Sequence, residues 1–102
     1  MIVYAERGQY EIWPINRRGR IADVRLRTGE DTSVVVGTLN ELAYRSYILS
    51  LKGLRFQDGL VRPAPAGEGK HFPSVENVLR YLEQDIIHTL VLQAYERRKS
   101  NK

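Results

Sequence analysis

Five arginines, Arg17, Arg18, Arg20, Arg25 and Arg27, fall within eleven residues and are offset only by Asp23. Guanidinium is planar and always charged, so it pairs in bidentate fashion with phosphate or carboxylate and stacks on flat rings. Five positive charges less one give +4, the formal net charge of the whole chain, whose 16 Lys+Arg stand against 12 Asp+Glu. The remaining residues therefore balance. A localised excess is felt by a partner over roughly a Debye length, about 8–10 Å at ordinary ionic strength, which makes this stretch the candidate contact for an anionic partner. Tyr10 and Trp13 lie just before it and fit either of two roles, stacking on bases beside the arginines or filling the core.

Other chemistries find less support. There is no cysteine, and His71 and His88 are 17 positions apart with no third ligand at metal spacing, so neither a metal nor a cofactor is expected. The stretch ending in Gly69-Lys70 fails as a phosphate loop, with Ala64 where the first glycine belongs, His71 where Ser or Thr would hold magnesium, and Pro73 interrupting. No Gly-x-Ser-x-Gly elbow occurs. The carboxylate pair Glu30–Asp31 reads as turn chemistry, and Glu83 and Asp85 point to different sides of a helix. Arg, Tyr and His would suffice for a metal-free ribonuclease, but the order of elements differs from that of small basic toxins.

The elements that position the arginines are strands. Residues 2–6 and 10–13 are rich in β-branched and aromatic side chains, and Pro14 ends the second run or confines it to an edge. Asn16-Arg17-Arg18-Gly19 is a turn. Residues 21–27 alternate, Ala22, Val24 and Leu26 against Ile21, Asp23, Arg25 and Arg27, so the arginines face away from the core. Residues 33–36 predict a fourth strand, and Gln57-Asp58-Gly59 between short apolar runs predicts a hairpin.

Thr38-Leu39-Asn40-Glu41 has the form of a capping box, and from it the sequence predicts a central helix from Leu39 to Gly53, apolar nearly all round. A flexible connector follows at about 63–73. Ser74 then caps a long helix from Val75 to about Lys99, which carries Val75, Val78, Leu79, Leu82 and Ile86 on one side and Ile87, Val91, Ala94 and Tyr95 on another. About 25 helical residues span roughly 37 Å, so the end of the helix is expected to project and its second stripe to need a cover. The expected cover is a second copy of the chain, with Tyr44 and Tyr47 contributing.

At 102 residues with 42% hydrophobic content, the sequence specifies one small α+β domain: about four N-terminal antiparallel strands and a short hairpin packed with a central and a long C-terminal helix. No run of apolar residues is long enough for a membrane span, and a cytoplasmic location is expected. The first functional reading is a dimeric, non-enzymatic nucleic-acid-binding or regulatory protein that binds through the arginine hairpin. The alternative is a small protein-binding inhibitor or adaptor acting on a larger complex, of the kind mobile elements or phages use. A ribonuclease-like toxin stands third.

Overall fold

Alternation at a period of two dominates more of the chain than the sequence reading assigns to it. A computed structural model describes residues 1–65 and 67–100. Its strands are β1 (Ala5–Arg7), β2 (Tyr10–Pro14), β3 (Ile21–Arg27), β4 (Ser33–Ala43), β5 (Ser46–Leu51), β6 (Leu54–Gln57), β7 (Leu60–Pro63) and β8 (Lys70–Phe72), followed by helices α1 (Val75–Glu83) and α2 (Asp85–Ser100). Six strands form one antiparallel sheet in the order β1-β2-β3-β4-β5-β8, and β6-β7 form a separate hairpin. The fold is α+β, as expected.

The predicted central helix is instead the second half of β4 and the whole of β5. Leu39, Leu49 and Leu51 point inward and are buried, while Ile48 and Ser50 take the other face. A strand with apolar residues on both sides mimics a helix that is apolar all round, and that is why the periodicity misled. Thr38, the supposed cap, lies within the strand opposite Ser50, and Glu41 accepts a hydrogen bond from the Met1 amino group at 2.9 Å. Between the two strands stands a turn of Tyr44 and Arg45, with Arg45 at φ 58°.

The long C-terminal helix is two helices. Gln84 is extended (φ −61°, ψ 133°), its N–H donates to the Tyr81 carbonyl, and its own carbonyl accepts from His88 N–H. This one-residue break resets the helical phase. Val78, Leu79 and Leu82 on α1 and Ile87, Val91 and Ala94 on α2 consequently enter the same core as Ile12, Val24 and Leu26. The second stripe is thus covered by the chain itself, and the geometric reason for a dimer through Ile87, Val91 and Ala94 disappears. Ile86, expected on the first stripe, is exposed.

Other expectations hold. Asn16 to Gly19 is the β2–β3 turn, Pro14 ends an internal strand, and Asp58-Gly59, both at positive φ, close the β6–β7 hairpin. The stretch read as a flexible connector at 63–73 is in part sheet: it contains the end of β7 and the short strand β8, which pairs with β5 and buries Phe72, while residue 66 lies outside the described residues. Among the described residues no helix is long and apolar enough to cross a membrane.

Candidate functional site

Strand register decides what each sheet face carries, because cross-strand partners project to the same side. Pro14, Ala22, Leu39 and Leu49 make one row, and Ile12, Val24, Gly37 and Leu51 another; both face the helices. Trp13, Asp23, Thr38 and Ser50 form a row on the opposite, outer face, which no helix covers. The next outer row contains Ile21, Asn40, Ile48 and His71, with Ile15 joined to it through its N–H to the Ile21 carbonyl. The register thereby separates the two aromatics that sequence alone left open: Tyr10 is core at 1% exposure, and Trp13 is an outer-face residue at 43%.

Arg25 and Arg27 lie on that outer face, and both are held by neighbours. Arg27 forms ion pairs with Glu6 and, at 3.6 Å, with Glu11. The single proton of the Tyr4 hydroxyl is shared between both carboxylates, with Glu6 at 2.6 Å and Glu11 at 2.7 Å. The bond from Tyr4 is the largest influence on Glu11 and holds its carboxyl below the usual carboxylate range; the same bonds, to Glu6 first, push the Tyr4 phenol up. Arg25 donates to Ser33 Oγ at 3.3 Å, lies 3.8 Å from Asp23 and covers the Trp13 ring at 5.4 Å from its centroid, with its Nε buried.

Arg17, Arg18 and Arg20 are at the tip of the same hairpin, exposed and, among the described residues, outside every ion pair. The loop that displays them is rigidly built. Asn16 Oδ1 accepts from the backbone N–H groups of Arg20 and Ile21, and the Gly19 N–H donates to the Asn16 carbonyl at 3.1 Å. Gly19 sits at φ +63°, and a Cβ there would come within 2.3 Å of the Met1 side chain and 2.8 Å of the Ile2 carbonyl. Only glycine fits, and the Ile2 N–H bonds back to its carbonyl.

The antiparallel course of the sheet brings a fourth arginine to the same end. The Arg20 carbonyl accepts from Glu41 N–H at 2.8 Å, and three residues beyond Glu41 the chain reaches the Tyr44-Arg45 turn. Three strand residues extend about 10 Å, so both turns share one rim of the sheet. Tyr44 is 85% exposed, and the Arg45 guanidinium lies 5.4 Å from its ring centroid. Arg45 occupies a left-handed conformation that disfavours any side chain, a cost of about 1–2 kcal/mol at a position glycine would fill more easily. Sequence reasoning missed its place at the rim because it read the segment as helix. The available signal was Tyr44-Arg45 between the short alternating runs that end at Ala43 and begin at Ser46.

The remaining candidates are dispersed. Among the interface candidates, Tyr47 packs partly on the core, and half-buried Tyr95 lines a shallow groove with Leu26, Arg27 and Lys99. His71 belongs to the outer row, whereas His88 is on the helix side, where its Nδ1 meets the Tyr10 hydroxyl at 2.7 Å. Glu83 pairs with Arg7. Among the described residues no group of three or more His, Cys, Asp or Glu could hold a metal ion. A second basic cleft, of about 630 Å³, lies between Lys52-Gly53, Pro63 to Pro65 and Ala94, Arg97 and Arg98. Burial lowers Arg98 from its ordinary range, and its guanidinium bonds the Lys52 carbonyl at 3.1 Å. These cations close the C-terminal end of α2, where they complement the helix dipole.

No protein-family model, curated protein sequence or solved structure matches this chain.

Proposed function

We propose that this protein binds nucleic acid without catalysing a reaction, engaging the phosphate backbone through the two arginine-bearing turns at one rim of its sheet. The observation that carries this reading is the division of the arginines. Among the described residues Arg17, Arg18, Arg20 and Arg45 share the rim without an ion pair, whereas Arg27 is paired with Glu6 and Glu11 and Arg25 lies 3.8 Å from Asp23 on the sheet surface. Glu41, the acid closest to the rim turns in the strand register, is engaged by the Met1 amino group, which holds its carboxyl low. What remains is a compact positive patch on rigid supports, the arrangement that lets phosphates exchange counterions for guanidinium groups with little ordering cost.

The test is fluorescence anisotropy with labelled oligonucleotides at low salt. A variant with Arg17, Arg18, Arg20 and Arg45 all changed to Ala is expected to bind more than about 100-fold more weakly than the unmodified chain, with circular dichroism showing an unchanged fold. Equal binding by that variant overturns the reading. Absence of binding by the unmodified chain at low salt overturns it too and directs attention to the protein-binding alternative.

A further inference from the structure

The outer face beside the rim carries a second feature that phosphate contacts do not explain. Trp13 on β2 and Ile15 just beyond its end project from the same side, next to Ile21 on β3, and the chain then enters the arginine turn directly. A Trp, two Ile and a Tyr on an uncovered sheet surface form an apolar strip, since Tyr4 meets Trp13 edge-on with 5.2 Å between ring centroids. The ring of Trp13 is fixed from two sides. Arg25 lies over it at 5.4 Å from the centroid, and Tyr4 is tied down by Glu6 and Glu11. A half-exposed indole held in one orientation loses little freedom when something flat packs on it.

Resting on the nucleic-acid reading above, we infer that the preferred ligand is single-stranded, with its backbone on Arg17, Arg18, Arg20 and Arg45 and an unpaired base stacked at Trp13. Positive charge at the rim and the apolar strip together select this occupant, which reaches Trp13 from the rim side because Glu11, Glu30 and Asp31 line the groove beyond it. A duplex offers phosphates to the rim but keeps its bases stacked inside, so it leaves the Trp13 strip uncovered. A single strand satisfies both, because each base has a face to stack and the backbone beside it is anionic. Arg25 already occupies one face of the indole, so the base stacks on the face that Arg25 does not cover.

Trp13 is the sole tryptophan of the chain, so tryptophan emission reports on the surroundings of this residue. The probes are an oligothymidylate of about fifteen nucleotides and a duplex of about the same length. The single strand is expected to quench Trp13 emission and to bind more tightly than the duplex. Trp13→Ala is expected to weaken single-strand binding by about 5- to 150-fold while leaving duplex binding within about twofold, and Trp13→Phe to retain part of the preference. If the arginine variant abolishes binding but Trp13→Ala binds both probes as before, with no quenching in the unmodified chain, the single-strand inference is overturned and the nucleic-acid reading stands. If neither probe binds at low salt while polyglutamate quenches Trp13, both fall in favour of an acidic protein partner.

Discussion

The tip and the flank of the β2–β3 hairpin contain the same residue type within eleven positions, yet the fold treats them oppositely. On the flank, Arg25 and Arg27 alternate along β3, whose face also carries Asp23 from the same strand, Glu11 from β2 and Glu6 from β1; Arg27 is paired with two carboxylates, and Arg25 lies 3.8 Å from Asp23 while its buried Nε has no hydrogen-bond partner among the described residues. At the tip the chain leaves the sheet, the one acid of the adjoining β4 end, Glu41, is engaged first by the Met1 amino group, and Arg17, Arg18 and Arg20 are exposed. Charge density counted along a sequence therefore overstates a binding surface wherever the residues lie in a strand with acidic neighbours, and understates it where a second turn joins from elsewhere, as Arg45 does here.

The largest effect should come from the tip, where the four-arginine variant loses more than about 100-fold in affinity while the charge-neutral flank pair Glu11→Gln/Arg27→Gln stays within about twofold on a duplex probe, which does not use Trp13, by anisotropy. The pair is removed together because deleting Arg27 alone would leave two carboxylates repelling the ligand. Next, Glu6→Gln/Glu11→Gln should turn flank into tip: with Arg27 released, one more phosphate contact becomes available and low-salt affinity rises about 5- to 10-fold. A smaller loss, about 3- to 8-fold, is expected for Arg45→Gly. Its melting temperature should equal or exceed that of the unmodified chain, because glycine relieves the left-handed backbone. A lower melting temperature would show that Arg45 serves the fold.

The mildest contrast is in pH. The folded-state pKa of Glu11 lies below its unfolded value of about 4.5, so its contribution to stability is present above that pH and lost as pH falls through the folded value. The Tyr4 phenol shifts the other way, and its contribution is present below its unfolded value near 10 and lost as pH rises through the folded one. Denaturation of the unmodified chain and of Glu11→Gln across pH should show a stability difference that narrows on acidification. A difference independent of pH would mean that Glu11 is not held as described.

Much of this architecture was legible in the sequence, and what was missed has physical reasons. Ala22, Val24 and Leu26 alternate cleanly because only one side of β3 is buried, and Asp58-Gly59 announces its turn through residues that accept positive φ. The segment from Leu39 to Gly53 hid its strands because Ile48 places an apolar group on the uncovered face and Leu42, at the irregularity between Glu41 and Ala43, is an exposed one, and because its turn uses Tyr44 and Arg45, neither of which signals a hairpin. The helix break at Gln84 has no proline or glycine to mark it; the only clue was a second apolar stripe out of phase with the first. The tip arginines were visible as a charge cluster. The matching of Arg25 and Arg27 was not, since Glu6 and Glu11 reach Arg27 only through pairing of strands that sequence places apart.

The most direct test of the division between tip and flank is the dependence of oligothymidylate affinity on salt concentration. Four arginine–phosphate contacts on a single strand give a slope of about −2.8 in log affinity against log salt, a fall of about 50-fold between roughly 50 and 200 mM. The slope should stay near that value in Glu11→Gln/Arg27→Gln and approach zero when Arg17, Arg18, Arg20 and Arg45 are replaced. A slope that survives loss of the four rim arginines, or one that vanishes with the flank pair, would contradict the assignment.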